Sequence, residues 1–460
     1  MNGQSFTLGD LRDPALIREL VGREFPDQIG VPSQLCDRFR KLAIAHPGHH
    51  SRPAMLLNVP GRIEVLGKHT DYAGGVSLTC ASQMSMTSVV TAHALPSLIV
   101  FDEARGTQVE FQYAHPEMVT DQPWTSYVAT VLRRFIRHFG APDLGVSVVL
   151  SSNLPSASGM SSSSGLIVTI SLALLGMGNI LALPKHFSRM SRERFSGFAG
   201  AIESGADFEG LLGDEGVGTK GGSEDHAAIV CSTPNSLNLY SYFPVSQLGT
   251  VRFPDSVSFV VASSGVKARK TGEAKEAYNL ASWRAKQVVS LWNEKEELSL
   301  QTMGDMVEHE SFSRDQLRDL LLSILGGGDL WNRFAQFDRE CSVIIPGAMD
   351  ALQNGQWASF GSYVDESQKM ADQWLGNQVP ETNDLVSMAR NLGAHGASAF
   401  GAGFGGAVWA LVDTERADQF LTEWTNEYES RYPSRRTSAR FFRDQPSAGV
   451  TMQGSKYFSF

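Results

Sequence analysis

The sequence predicts an α+β protein of two or three domains, with a functional site drawn from both halves of the chain. Three observations lead there. Residues 145–166 pass from an alternating strand pattern, through a loop of small residues, into an apolar helix. The composition shifts near Ser256, where a new strand and then long helical patterns begin. A second glycine-rich stretch, residues 393–406 (GAHGASAFGAGFGG), stands far along the chain from the first. The 460 residues supply ample core for that many domains.

The loop at residues 152–166 (SNLPSASGMSSSSGL) organises the rest. Val146, Val148 and Leu150 share one face of the strand leading in, and residues 166–175 (LIVTISLALL) lead out as a buried helix. Gly159, Ser161, Ser162, Ser163 and Ser164 sit where that helix should begin. Small residues let backbone N–H groups converge on an anion, and the helix N-terminus adds partial positive charge. Serine hydroxyls can donate to phosphate oxygens or ligate Mg²⁺. Serine runs are more often linkers, but a linker is seldom followed by a core helix.

Composition narrows the function. With 42% hydrophobic and 19% charged residues the chain is globular rather than disordered. A net charge of −10 argues against nucleic acid or an anionic membrane as partner. A phosphate ligand must then be held by local donors and a metal. Cys36, Cys80, Cys231 and Cys341 are far apart and form no CxxC pair, so they read as buried thiols in a reducing compartment. No signal peptide is expected at MNGQSFTLGDLRDP, and the helix at 166–175 is far short of a membrane span, so a cytoplasmic protein is expected.

In chain order, residues 11–25 and 35–45 read as helices, and HPGHH (His46 to His50) as an exposed turn rather than a metal site. Residues 58–81 (NVPGRIEVLGKHTDYAGGVSLTCA) give a strand that breaks at Gly67, a polar cluster of Lys68, His69, Thr70, Asp71 and Tyr72, and a second strand from Val76. Such a tip is either a solvated turn or a polar ligand site. Arg62, at the start of the apolar strand, needs an anionic partner. Residues 98–101 and 108–113 read as strands of the same sheet. Residues 124–139 (WTSYVATVLRRFIRHF) form an amphipathic helix closed by Gly140, with Arg133, Arg134 and Arg137 as its solvated face. Residues 194–203 read as a helix and 210–222 as a glycine-rich loop. Glu224, Asp225 and His226 then precede an apolar segment. A carboxylate there could be a catalytic base or hold a metal, but the spacing favours Ser223 or Asp225 as a helix N-cap. Beyond Ser256, residues 257–262 and 407–412 are strands, and 274–293, 316–325 (closed by Gly326 to Gly328) and 384–392 are helices.

With these stretches in hand, the chain resembles the GHMP small-molecule kinases, and the galactokinases among them most closely. PGRIEVLGKHTDYAGG is similar to the family's first motif, LPSASGMSSSSG to its phosphate loop, and GASAFGAGFGGAVWALV to its third motif. PWTSYVATVL and FFRDQPSAG extend the likeness, which runs in order from about residue 56 to 449. The resemblance implies the two-domain GHMP kinase fold: a ribosomal S5 domain 2-like N-terminal domain, a ferredoxin-like C-terminal domain, and the active site in the cleft between them. It implies an extension at residues 1–50, an ATP-binding domain at 51–255, a C-terminal domain at 256–450 and a tail at 451–460. It implies transfer of the γ-phosphoryl of ATP, with Mg²⁺, to a sugar hydroxyl, in galactokinases the anomeric one. By the match, Arg62 and Asp225 would be catalytic, and Lys68, His69, Asp71 and Tyr72 would face the sugar. Pro155, Gly159, Met160 and Ser161 to Ser164 would wrap the phosphates, with Trp124 near the adenosine. Ser163 and Glu203 would hold Mg²⁺. The expected partners are a sugar and ATP, with no nucleic acid or membrane, and the expected state is a monomer.

Two departures bear on the substrate. Lys68 stands where galactokinases usually carry a glutamate that accepts a hydrogen bond from the sugar's primary hydroxyl, and lysine cannot accept one. Lys68 therefore either faces a carboxylate, making the substrate a uronic acid such as galacturonate, or pairs with Glu64 or Asp71. The segment between Glu203 and Asp225 is also longer than in galactokinases, lacks their Cys-Gly-Ile-Met-Asp-Gln signature, and puts His226 after the aspartate. A non-catalytic sugar and ATP sensor is the rival from another class. Such relatives lose serine-loop residues, and this chain keeps Ser161 to Ser164, Arg62 and Asp225. A mevalonate-type kinase is disfavoured by HTDY.

Overall fold

The computed structural model describes residues 6–25, 32–117, 122–155, 159–185, 187, 189–266, 273–455 and 458; residues 156–158 of the serine loop lie outside the described residues. Among the described residues thirteen strands form two sheets. In chain order they are β1 (Phe6–Thr7), β2 (Pro53–Leu66), β3 (Val76–His93), β4 (Ser97–Asp102), β5 (Thr107–Gln112), β6 (Gly145–Ser152), β7 (Ser236–Tyr242), β8 (Val245–Arg252), β9 (Val257–Ser263), β10 (Gly396–Ala399), β11 (Ala407–Asp413), β12 (Arg440–Asp444) and β13 (Thr451–Gln453). The nine-stranded sheet runs β1-β2-β3-β6-β4-β5, with β13 also on β2 and the β7–β8 hairpin on the far end of β3. The four-stranded sheet runs β10-β11-β9-β12, antiparallel throughout. The architecture has the two α+β parts expected from the sequence, each built on its own sheet.

The long β2–β3 hairpin is the spine of the first sheet. Its register shifts twice, between Pro60 and Arg62 and between Glu64 and Leu66. Proline has no N–H to give the ladder, so the pairing yields at Pro60, and such irregularities re-aim the side chains beside them. Arg62 and Glu64 stand between the two shifts. One face of the sheet is covered by the helices Ser162–Met177, Thr125–Phe139 and Arg192–Ser204, through a large apolar core. The other face carries Pro14–Glu24 and Pro32–Ala45, whose Phe39 and Leu42 pack with Leu56 and Val89. A third cluster joins Ile63, Leu78 and Met160 to Phe259, Phe400 and Trp409, so the two sheets share apolar core.

Most expected elements form, with several differences. The serines are the first turn of the helix Ser162–Met177, buried from Ser164 onward. Of the three arginines expected on a solvated face only Arg137 is exposed; Arg133 is half-buried. Arg134 is fully buried and donates to the carbonyl of Ala206 (2.8 Å), Arg133 donates to Asp214 (3.2 Å) and Arg137 to the carbonyl of Gly213 (3.0 Å). These arginines fasten the loop after Ser204. Gly327 opens the helix Gly327–Arg339 rather than closing the one before it. The turn at residues 68–71 is buried, which removes its reading as a solvated turn. Ser223 occupies the N-cap position of Glu224–Cys231 but its side chain makes no capping bond, and Asp225 lies inside the helix. Among the described residues no helix is long and apolar enough to cross a membrane, and the four cysteines are free thiols.

His46 also departs from the exposed-turn reading. It is buried, accepts from the Gly48 N–H (3.1 Å), and its Nε2 lies 3.2 Å from Thr91 Oγ1. Burial, above all, lowers its pKa from 6.5 to about 4. The native state therefore favours the neutral ring. As pH falls below 6.5 the unfolded chain takes up the proton first, so stability is lost down to about 4. His46→Gln should flatten this slope by an amount on the order of 2–3 kcal/mol, read from urea unfolding of both proteins at about pH 7 and about pH 4.5.

Candidate active site

Arg62 leaves β2 between the two register shifts and is buried. Its Nε donates to Asp225 Oδ1 at 2.7 Å, and its Nη1 to the carbonyl of Gly159 at 2.5 Å. Nη2 lies 3.7 Å from Glu64 Oε2, and Nε 3.9 Å from Glu224 Oε1. Phe400 of the second glycine-rich stretch lies under the guanidinium, 5.8 Å from ring centroid to Cζ. Burial works against its charge, but the neighbouring carboxylates, Asp225 first and then Glu64, more than offset that, so the pKa is raised and the group stays cationic. The anion that the sequence required for Arg62 is Asp225, contributed by the first turn of the helix Glu224–Cys231.

The serine loop closes the next side. Gly159 (φ +77°) and Ser161 (φ +60°) both have left-handed backbone, one free of cost for glycine and one strained for serine. Together they turn the chain so that the first N–H groups of Ser162–Met177 open toward the cleft. Ser161, Ser162 and Ser163 line that cleft with Gly159. Ser164 does not, because the helix turns it inward. Its hydroxyl donates to Glu203 Oε2 (2.7 Å) and lies 3.2 Å from Asp225 Oδ2. His226 Nε2 is 3.1 Å from the same Glu203 oxygen.

The polar turn after β2 forms the floor. Asp71 is buried, and its Oδ2 accepts from the N–H groups of Gly222 (3.0 Å) and Glu224 (3.4 Å); burial raises its pKa. His69 (φ +60°) is held by Arg333 Nη2 on its carbonyl (2.5 Å), with Nδ1 2.7 Å from Tyr72 Oη. Burial, followed by the Arg333 charge, lowers its pKa to about 3, so the ring is neutral. Lys68 turns the other way. Its buried Nζ donates to Ser398 Oγ (2.7 Å) and Gln336 Nε2 donates to its carbonyl (3.1 Å). Glu340 accepts from the Gly67 N–H (2.8 Å) and from Ser367 (2.9 Å), and the Lys68 charge acts on it.

These walls enclose a cleft of about 850 Å³. The chain matches the family model of the GHMP kinases N terminal domain over residues 126–207 and that of the GHMP kinases C terminal over 348–430. It matches the galactokinase galactose-binding signature over residues 46–92. In both its N-terminal and its C-terminal part the chain is thus similar to the GHMP kinases. Within that superfamily its likeness falls on galactokinases. It is 23% identical to the galactokinase of Clostridium acetobutylicum, over 81% of this chain and 88% of that one. It is 26% identical to the galactokinase of Homo sapiens, over 87% and 92%. In fold it is similar to the Lactococcus lactis galactokinase complexed with galactose, with a TM-score of 0.72 at 20% identity, covering 92% of this chain and all of that one.

Ten of the residues to which the resemblance gave a site role line this cleft: Arg62, His69, Asp71, Trp124, Gly159, Ser161, Ser162, Ser163, Glu203 and Asp225. Lys68, Tyr72, Pro155, Met160 and Ser164 do not line it. Met160 packs in the core between the sheets, so only its backbone could meet a phosphate. Tyr72 reaches the cleft indirectly, through His69. Lys68 pairs with neither Glu64 nor Asp71, and its ammonium is drawn to the polar cluster of the second half. Sequence reasoning missed Tyr278 and Lys275, which also line the cleft, as do Glu64, read only as a possible partner of Lys68, and Glu224, read as a carboxylate beside a helix cap. Tyr278 packs against the His69 ring, tilted by 45° with the centroids 4.9 Å apart, but read as one more residue of a long helix. Glu64 occupies an alternating strand position that carries no signal by itself.

The second glycine-rich stretch meets this site at Gly401. A Cβ there would stand 2.1 Å from Glu64 Oε2 and 3.1 Å from Arg62 Nη2. Gly401→Ala should push these side chains apart, costing about 1–3 kcal/mol of stability and a larger share of turnover, as measured by thermal unfolding and steady-state kinetics.

Proposed function

We propose that the chain transfers the γ-phosphoryl group of ATP to the anomeric hydroxyl of galactose or a galactose-like monosaccharide. The observation that carries this reading is the Arg62–Asp225 pair, 2.7 Å apart on the wall of one cleft with the serine loop and the His69–Asp71 turn. A phosphoryl transfer needs an alcohol held in line, a base or orienting group at its proton, and positive charge on the transferring group. Asp225 accepts the hydroxyl proton while the sugar oxygen bonds to the γ-phosphorus. The bond from that phosphorus to the bridging oxygen breaks, and ADP leaves. Arg62 holds the Asp225 carboxylate in place and its charge steadies the phosphoryl oxygens. Asp71, fixed by backbone N–H groups that include those of Gly222 and Glu224, lines the cleft where sugar hydroxyls would meet it, and neutral His69 can accept or donate beside it.

Mg²⁺ fits the donor set. Ser163 and Glu203 offer hydroxyl and carboxylate oxygens on the cleft wall, the hard ligands this ion takes alongside substrate phosphates. When bound, the ion would neutralise phosphate charge, which an acidic protein cannot do with surface lysines. Trp124, half-buried at the cleft rim with its Nε1 unpartnered, is placed to pack against the nucleoside.

The uronate alternative rested on Lys68 facing the sugar. With that ammonium on Ser398, galactose or a near relative is the better-supported acceptor. Replacing Asp225 by Ala should lower kcat by on the order of 10²–10⁴-fold while ATP still binds, measured by ADP release and by titration. Binding of sugar and ATP without ADP formation in the wild type would instead mark a sensor. Lys68→Met should cost about 2 kcal/mol of stability and leave the ratio of galactose to galacturonate turnover as it was. A selective loss of galacturonate turnover would return Lys68 to the sugar.

A further inference from the structure

Arg62 faces three carboxyl groups, and the reaction proposed above uses only one. Asp225 takes the guanidinium directly. Glu64, two residues along β2, and Glu224, beside Asp225, are both buried behind it. Glu64 Oε1 and Glu224 Oε1 are sealed from solvent and receive no hydrogen bond from any N–H or O–H group among the described residues. Because these two atoms do not reach the open cleft, a substrate cation cannot satisfy them. The two side chains meet each other, and two carboxylates in contact leave acceptor against acceptor unless a proton lies between them.

We propose that Glu224 is a neutral carboxylic acid whose O–H donates to the Glu64 carboxylate, and that this pair is a positioning device for Arg62. The surroundings agree. Burial first, then the Glu64 charge and the hydrogen bond to it, raise the pKa of Glu224 well above the ordinary glutamate range, against the lowering effect of Arg62. The charged and titratable groups facing the pair are Arg62 on the same strand, Asp71 in the turn below, Asp225 on the Glu224 helix, Tyr242 on β7 and Glu340 across the interface. Among these only Arg62 is a cation. With Glu224 neutral, the guanidinium has one strong anionic partner and keeps Nη1 on the Gly159 carbonyl. With Glu224 ionised, a second buried anion competes for Nε, and the hold on Asp225 loosens.

The inference rests on the proposed kinase activity, so its test has one arm that needs turnover and one that does not. Carboxyl ¹³C NMR of glutamate-labelled wild-type enzyme at neutral pH should show a protonated glutamate signal that is absent from Glu224→Gln. If Glu224→Gln does not fold, the signal is assigned through Glu340→Gln, which should leave it in place. Full ionisation of all glutamates at neutral pH, or a protonated signal that Glu340→Gln alone removes, overturns the proposal. In the kinetic arm, wild-type kcat should fall as Glu224 ionises at alkaline pH. Glu224→Gln, whose amide donates to Glu64 at every pH, should lack that limb, and Glu224→Ala should lose on the order of 10–100-fold in kcat at neutral pH. An alkaline limb shared by wild type and Glu224→Gln also overturns it. Failure of the sugar kinase reading would appear as absent turnover with the NMR result intact.

Discussion

The Arg62–Asp225 ion pair, buried where β2 meets the helix Glu224–Cys231, constrains the architecture around it. A guanidinium removed from water needs most of its donors satisfied and its charge balanced. The chain meets both needs with groups from distant segments: a carboxylate 163 residues away, a carbonyl of the serine loop 97 residues away, and Phe400 beneath the plane. Each contact fixes a different element. The register shifts in β2 aim the arginine, the serine loop is held by its own carbonyl, and the second glycine-rich stretch approaches because Gly401 has no side chain.

The same economy of contacts explains the HTDY turn. Arg333 and Gln336, on one helix of the second half, grip the carbonyls of His69 and Lys68, and Lys68 reaches back to Ser398. The turn that carries Asp71 into the cleft is thus held from below by the opposite domain. The left-handed backbone at His69 persists because these bonds fix it.

Much of this was legible in the sequence, for physical reasons that vary with the element. The strand, serine loop and buried helix of residues 145–177 announce themselves through periodicity and small residues. Arg62 was marked by its place at the head of an apolar strand, where a charge demands a partner. The identity of that partner was not legible from spacing: Asp225 read equally as a helix cap, and only the family motif singled it out. Arg134 was misread because a basic residue on an amphipathic helix is usually solvated, whereas here a loop folds over it. Lys68 and Ser164 share motifs with cleft residues yet turn away, since a motif fixes sequence position and not rotamer. Glu64 and Glu224 were named only singly, one as a possible partner of Lys68 and one as a carboxylate near a helix start; that they lie together was not legible, because they are 160 positions apart in the chain.

The pairing of β13 with β2 has a consequence for biogenesis. Thr451, Met452 and Gln453 align with Asn58, Leu57 and Leu56, just upstream of the strand segment that bears Arg62. During translation β2 emerges hundreds of residues earlier, an interval on the order of tens of seconds at ordinary elongation rates. Through that interval the nascent sheet carries β2 without one of its neighbours, so the edge next to Arg62 stays open to chaperones until β13 has been made.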